Sequence, residues 1–325
     1  MLSGVYRQWA SSRIAGSVLW TRSVSGDRLA SGAATAARGG LALDGSVPDG
    51  SAPGGSLPDG SLPDGSLPDG SLPDGSLSDS SETIRVRLVT GGGPAARVTS
   101  DRILPDGCLD LIWASGTLLV AGPDTRAWLS ESAPGTAYVG LRFAPGTGPA
   151  VLGVPACELR DSRVELAALW RPAVVRRIAE RIAEAGDPAG LLESVALDAM
   201  TAGSTALGPG PLSPTALSPT AAGPGAPDAW AGRAVASLRA GASVRALAER
   251  VGLGERQLHR RCLTLFGYGP KTLARVLRFD SAVALARRGV PFADVAARTG
   301  YADQAHLSRD VRALAGVPLG TLIRD

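Results

Sequence analysis

One pattern in the last hundred residues occurs twice, and it constrains the fold more than anything else in the chain. Ser243-Val-Arg-Ala-Leu-Ala-Glu-Arg-Val251 opens on a serine suited to cap a helix and places apolar residues at 244, 247, 248 and 251. Gly252 stops it. A second helix is predicted over 254–265, with Leu258, Cys262 and Leu265 on its buried stripe and Arg256, His259 and Arg260 on another face. The pattern then returns: a helix over 292–299, a turn at Gly300-Tyr301 and a second helix over 303–315. Ala248 and Gly252 match Ala296 and Gly300 at an offset of 48, whereas Leu258 and Arg260 match Leu307 and Arg309 at 49. The second turn therefore holds one extra residue. Between the units, 272–288 reads as a long helix with Leu273, Val276, Leu277 and Leu285 on its inner side. Two short helices broken by glycine, the second displaying bases, fit a helix-turn-helix.

Charge separates this block from the rest. Residues 229–325 carry 16 basic and 7 acidic side chains, a balance of +9, while the remainder carries 17 and 23, a balance of −6. A concentrated positive block points to a polyanion, most often nucleic acid. The alternative is a solvated basic surface. Of the 33 basic residues only Lys271 is a lysine, a bias that suggests nucleotide composition before function. Three scattered cysteines (Cys108, Cys157, Cys262) and two histidines (His259, His306) exclude a disulfide scaffold, a four-cysteine zinc site and a three-histidine metal centre. His259 and Cys262 alone lack two metal ligands, so a packed cysteine beside an exposed histidine is expected. No cofactor is expected, and no apolar run is long enough for a membrane span.

Glycine and proline excess marks the boundaries. From Gly45 a five-residue unit, most often Gly-Ser-Leu-Pro-Asp, recurs seven times. One leucine per unit buries nothing, so 39–82 is expected to be a disordered insertion. A calcium-binding turn array is disfavoured, because each unit supplies one carboxylate and calcium gathers about six to eight oxygens. A second Gly/Pro-rich stretch, 201–228, reads as a flexible linker. The expected organisation is 1–38 and 83–200 as one interrupted sensor domain and 229–325 as a DNA-binding domain. Residues 1–38 also suit a transit peptide in composition.

In the middle block, short alternating runs at 85–89, 108–113, 117–120 and 138–143 predict strands. Helical spacing follows over 164–170, 173–184 and 189–200. The fold class is thus α+β: a β-rich N-terminal domain with trailing helices, then an all-α domain of two helix-turn-helix units joined by a long helix. The polar candidates in the β-rich part are Asp106, Asp110, Asp124, Arg126 and Arg142. Pro105 and Gly107 argue against one strand presenting Asp106, Cys108 and Asp110 on a single face. No histidine lies there to act as a base and no serine or cysteine has a triad partner, so an enzyme is not expected. Trp113, Arg126, Trp128 and Arg142 are candidates for an effector pocket, with aromatic core as the alternative for the tryptophans.

The two-fold pattern resembles the AraC/XylS family of bacterial transcription regulators. The likeness rests on Ala296 followed by Gly300-Tyr301, on Asp303-Gln-Ala-His-Leu-Ser-Arg309 with Gly316-Val317, and on Gly267-Tyr-Gly-Pro270 with the connecting helix. It covers about 229–322. The chain departs from the family pattern at Gly316-Val-Pro-Leu319, one residue short, and at Cys262, where an aromatic is usual. The middle block resembles a sensor domain from one branch of that family, through Ile103-Leu-Pro-Asp-Gly-Cys-Leu-Asp-Leu-Ile-Trp113, Ala121-Gly-Pro-Asp-Thr-Arg126, Gly140-Leu-Arg-Phe143 and Leu159-Arg-Asp161. Tyr6-Arg-Gln-Trp9 and Trp20 match the start of that domain.

The resemblance implies a cytoplasmic, sequence-specific regulator whose two recognition helices enter successive major grooves, about 34 Å apart. Candidate base contacts are Arg256, His259, Arg260, Gln304 and Arg309; candidate phosphate contacts are Arg261, Lys271 and Arg312. The alternative for each is a solvated side chain. Candidate partners are double-stranded DNA, RNA polymerase, a small-molecule effector and a second copy of the chain. The competing classes are an enzyme or small-molecule-binding protein with a DNA-binding appendix, and a scaffold that uses the basic block for RNA.

Overall fold

The computed structural model describes residues 5–24, 99–202 and 229–324, all within one compact unit. The insertion at 39–82, the strand expected at 85–89 and the linker from 203 onward lie outside the described residues.

Among the described residues there are eight strands: β1 (Val5–Ala10), β2 (Val18–Ser23), β3 (Thr99–Ile103), β4 (Asp110–Ala114), β5 (Thr117–Ala121), β6 (Trp128–Ser132), β7 (Ala137–Arg142) and β8 (Arg163–Glu165). Six form one antiparallel sheet in the order β1-β2-β7-β4-β5-β8; β3 and β6 pair separately. The first two strands thus belong to the same sheet as the middle block, with Val18 opposite Arg142 and Leu19 opposite Leu141. A short helix α1 (Gly148–Leu152), a 3-10 turn at Ala156–Leu159 and helices α2 (Leu166–Leu169), α3 (Pro172–Glu184) and α4 (Pro188–Ala202) complete the domain. Leu111, Val120 and Leu141 from the sheet, with Phe143 just after β7, meet Ile182 of α3 and Leu192 and Ala196 of α4 in one buried core. Trp170 is sealed inside it and donates its indole N–H to the Leu152 carbonyl at 3.2 Å.

The helix expected over 164–170 is split. Residues 163–165 add to the edge of the sheet, with Val164 opposite Val120, and the helix starts only at Leu166. An open edge on β5 outcompetes one more helical turn. Strands β3 and β6 carry no strand signal in the sequence, because Thr-Ser-Asp-Arg-Ile and Trp-Leu-Ser-Glu-Ser lack a clear apolar alternation.

The C-terminal block is all helix: α5 (Ala229–Arg239), α6 (Val244–Val251), α7 (Glu255–Phe266), α8 (Pro270–Arg287), α9 (Phe292–Arg298), α10 (Gln304–Ala315) and α11 (Leu319–Leu322). Ser243 caps α6, its side chain accepting from the Ala246 N–H at 3.1 Å. Helix α8 serves two cores. Its first half (Leu273, Val276, Leu277) packs with Leu247, Leu258, Cys262 and Phe266. Its second half (Phe279, Val283) packs with Val295, Leu307, Val311 and Leu314. Each helix-turn-helix unit therefore has its own core, and the connector is shared.

Candidate nucleic-acid interface and the buried charge cluster

The two turns are built alike. Gly252 and Gly300 sit in the left-handed region at φ 65° and 76°, where a Cβ is disfavoured. The N–H of Leu253 bonds to the Ala248 carbonyl at 3.0 Å, and that of Tyr301 to the Ala296 carbonyl at 2.9 Å. These are the same helix-ending bond at matched positions. After it the units diverge. Helix α7 starts from Gly254, whose N–H is accepted by the Gln257 side chain at 3.1 Å. Helix α10 starts from Asp303, whose carboxylate accepts from the His306 N–H at 2.6 Å.

Arg256, His259 and Arg260 are exposed along one side of α7, while Leu258, Cys262 and Phe266 are buried. Gln304, Arg309 and Arg312 are exposed on α10, and Lys271 is exposed in the first turn of α8. Arg261 is half-buried and lies 4.7 Å over the Trp230 ring. His306 sits edge-on to Tyr301 at 5.1 Å, and its Nδ1 accepts from the Ala302 N–H at 3.4 Å. Burial pushes the Cys262 thiol up to about 12, so it is a packing group rather than a thiolate. Among the described residues no cluster of three or more His, Cys, Asp or Glu side chains could hold a metal ion.

Beneath the second unit, Asp310 is buried and accepts from Arg275 at 2.6 Å and from the Tyr301 hydroxyl at 3.0 Å. Arg278 lies 4.5 Å over the Tyr301 ring. Burial, then the Asp310 charge, raise the Tyr301 phenol, which stays a neutral donor.

The N-terminal domain holds a second constellation around a cavity of about 70 Å³. Arg142 from β7 is 3.2 Å from Asp106 and 3.3 Å from Asp110, and Trp20 donates to Asp110 at 2.9 Å. Arg163 grips Asp124 with two bonds, of 2.9 and 2.6 Å, and lies 4.6 Å over the Trp128 ring. Arg22 pairs with Asp101. Burial raises the Asp110 and Asp124 carboxyls above their ordinary range, each against the pull of its arginine. Burial alone would lower Arg142, but Asp110 and Asp106 outweigh it and raise the guanidinium further, so it remains charged.

Of the four side chains expected to line a pocket, Arg142 lines this cavity. Trp113 packs against the domain core, Arg126 is exposed, and Trp128 lies under Arg163. Asp106, Cys108 and Asp110 all face the cavity although β4 begins only at 110. The turn at Gly107, with the Cys108 N–H bonded to Asp106 at 2.9 Å, folds the segment back and does what a continuous strand would have done. Their close spacing was the available signal. Asp101, Arg22 and Arg163 had none, since their partners are distant in sequence.

Two short helices locked by a glycine turn, twice over, with exposed basic side chains on each second helix, define a DNA-binding helix-turn-helix protein. Residues 247–325 match a family model described as a helix-turn-helix domain, and 81–165 match a domain of unknown function, DUF6597. The C-terminal block is an AraC-type helix-turn-helix domain, and the chain is a DNA-binding transcription regulator. No curated protein sequence matches the chain. Similar solved structures include ToxT from Vibrio cholerae, at 9% identity and a TM-score of 0.37, covering 70% of this chain and 98% of that one. Another is unsaturated fatty acid bound wild-type ToxT from Vibrio cholerae strain SCE256, at 8% identity and a TM-score of 0.37, covering 70% and 96%. Among the described residues, no helix is long and apolar enough to cross a membrane.

Proposed function

We propose that the protein reads specific DNA sequences with both α7 and α10 and that its N-terminal domain regulates this reading. The observation that carries the proposal is the shared exposure of Arg256, His259 and Arg260 on one unit and Gln304 and Arg309 on the other, each set on the second helix of its unit. Arginine reads guanine by a bidentate bond to O6 and N7, so Arg256, Arg260 and Arg309 are assigned to base edges. Lys271, Arg312 and Arg261 are assigned to phosphates, Arg261 by leaving its stack on Trp230. The cavity around Arg142 supports a small-molecule effector in the N-terminal domain, and RNA polymerase and a second copy of the chain are the protein partners such a regulator would take. The protein is assigned to the cytoplasm and to no enzymatic reaction.

The test is a gel shift of the full chain on fragments of its own upstream region. The expected result is preferential retardation of one fragment, with affinity falling steeply as salt rises. Equal binding to all fragments would sink the sequence-reading proposal, and a flat salt dependence would sink the DNA contact itself.

A further inference from the structure

Strand β3 and the turn after it face two ways. On one side Asp101, Ile103, Asp106 and Cys108 wall the charged cavity. On the other the same segment meets both helix-turn-helix units. Arg102 is buried and donates to the carbonyl of Ala315, the last residue of α10, at 2.7 Å. Leu104 is part of the second unit's core. Three residues on, Gly107 lies against the Tyr268 hydroxyl, Leu273 and Leu277 of the first unit. The segment between β5 and β6 repeats the arrangement. The Ala127 N–H donates to the Leu314 carbonyl at 2.6 Å. Pro123 closes on Gly267, the residue that ends α7, where φ is 83° and a Cβ would collide with the proline ring and the Ala156 carbonyl.

These grips fall on the C-terminal ends of the recognition helices. The side chains assigned to bases are exposed elsewhere on the same helices, so the N-terminal domain does not cover them. Arg102 also places a positive charge at the end of α10, where free carbonyls and the helix dipole favour it. Two reading heads joined only by a helix gain most from being held at the spacing their target needs, because the second contact is then made without a further ordering cost.

We infer that Arg102 is a positioning residue for DNA reading: through β3 and its turn, the N-terminal domain sets the mutual placement of the two recognition helices and hence the spacing of the DNA segments they read. This rests on the assignment of both α7 and α10 to DNA.

The full chain, Arg102→Ala and Arg102→Lys are compared on a duplex selected by the wild type from a pool with about 30 randomised base pairs, roughly three helical turns. About five base pairs, half a turn, are then inserted between the two contacted segments. The wild type should lose about tenfold or more in affinity on insertion, and Arg102→Ala about threefold or less. Arg102→Lys, which can still donate to the Ala315 carbonyl, should follow the wild type. Affinity for a duplex with one contacted segment should be the same in all three. If Arg102→Ala keeps the full spacing penalty, or binds the uninterrupted duplex more tightly than the wild type, the positioning role is overturned. Hydrogen exchange supplies a reading that needs no DNA. Arg102→Ala should speed exchange at both helix ends, in 311–316 and in 263–268, and a change confined to 314–316 overturns the inference. A wild type that selects no sequence would sink the DNA assignment, while exchange still decides whether one segment couples the two helix ends.

Discussion

The two helix-turn-helix units share a backbone plan and differ in nearly every polar decision laid on it. The glycine turns and the bonds that end α6 and α9 correspond residue for residue. At an offset of 49, however, Arg261 of the first unit corresponds to Asp310 of the second. One is half-buried and stacks on Trp230; the other is buried and tied to Arg275 and Tyr301. Arg256 corresponds to Ala305, and among the polar positions of α7 and α10 Arg260 and Arg309 alone keep the same side chain. The repeated part is what a helix-turn-helix needs to fold, and the divergent part is what each unit needs for its own core and its own DNA.

Asp310 offers the largest break in the comparison. Removing one partner of a buried charge network strands the others, at a cost of about 3–5 kcal/mol for a fully buried pair. Arg275 is 41% exposed and partly solvated, so Asp310→Ala should cost about 2–4 kcal/mol. Arg261→Ala at the matched position loses a ring stack worth about 0.5–1 kcal/mol. Denaturant unfolding of both variants measures the contrast. Equal losses would mean that the two positions are energetically alike despite their different burial.

The reading faces come next. Arg260→Ala should lose about 1–3 kcal/mol of discrimination between the selected site and a mutated one. Arg309→Ala should lose less than half of that, because its neighbour at the position matching Arg256 is an alanine and the second unit presents fewer donors. Competition binding with single-base variants of the site separates them. A larger loss for Arg309→Ala would reverse the ranking of the two units.

Helix α8 links the units, and Asp280 lies near its middle, paired with Arg239 of α5 at 3.0 Å. Burial pushes its carboxyl up to about 6, with Asp106 adding to the rise while Arg239 and Arg142 oppose it. A carboxyl raised on folding binds its proton more tightly in the folded chain. Its share of stability is therefore full below the unfolded value near 3.8 and is lost as pH climbs through about 6. Asp280→Asn removes that dependence. Relative to the wild type, the variant should gain about 1–2 kcal/mol between pH 4 and pH 7, allowing for a side chain 24% exposed. Parallel unfolding curves across that range would show that Asp280 does not titrate there.

Much of the C-terminal block was legible because helical contacts are local. Ser243, Gly252, Gly300 and the stripes through Leu258 and Leu307 announce themselves within a few residues. The +9 balance points to DNA without any geometry. The N-terminal domain was harder to read, since its sheet joins segments far apart in sequence: Trp20 to Asp110, Arg163 to Asp124, Arg22 to Asp101. Arg142 and Asp106 are both legible as polar candidates, but Pro105 and Gly107 argue against Asp106 sharing a strand face with Asp110, and it is the turn at Gly107 that brings Asp106 to Arg142. Arg102 carried no signal at all. Its partner is a backbone carbonyl 213 residues away, and every residue type supplies one of those.

The helix starts give the smallest and most local contrast. Asp303 supplies α10 with a carboxylate that bonds an otherwise orphaned N–H and complements the helix dipole. Gly254 offers α7 no side chain, and there Gln257 reaches back to the Gly254 N–H instead. Asp303→Ala should therefore cost about 1 kcal/mol, whereas Gly254→Asp should gain a few tenths, roughly 0.3–0.5 kcal/mol. At Gly254 φ is −67°, which any residue adopts, and the nearest atom to a new Cβ is the Gln257 Oε1 at 3.7 Å, so the substitution meets no strain. Unfolding midpoints at fixed salt compare the two. If Gly254→Asp destabilises α7 instead, the reach of Gln257 is already the better cap, and the two helix starts are alternative solutions of equal strength rather than one capped and one uncapped end.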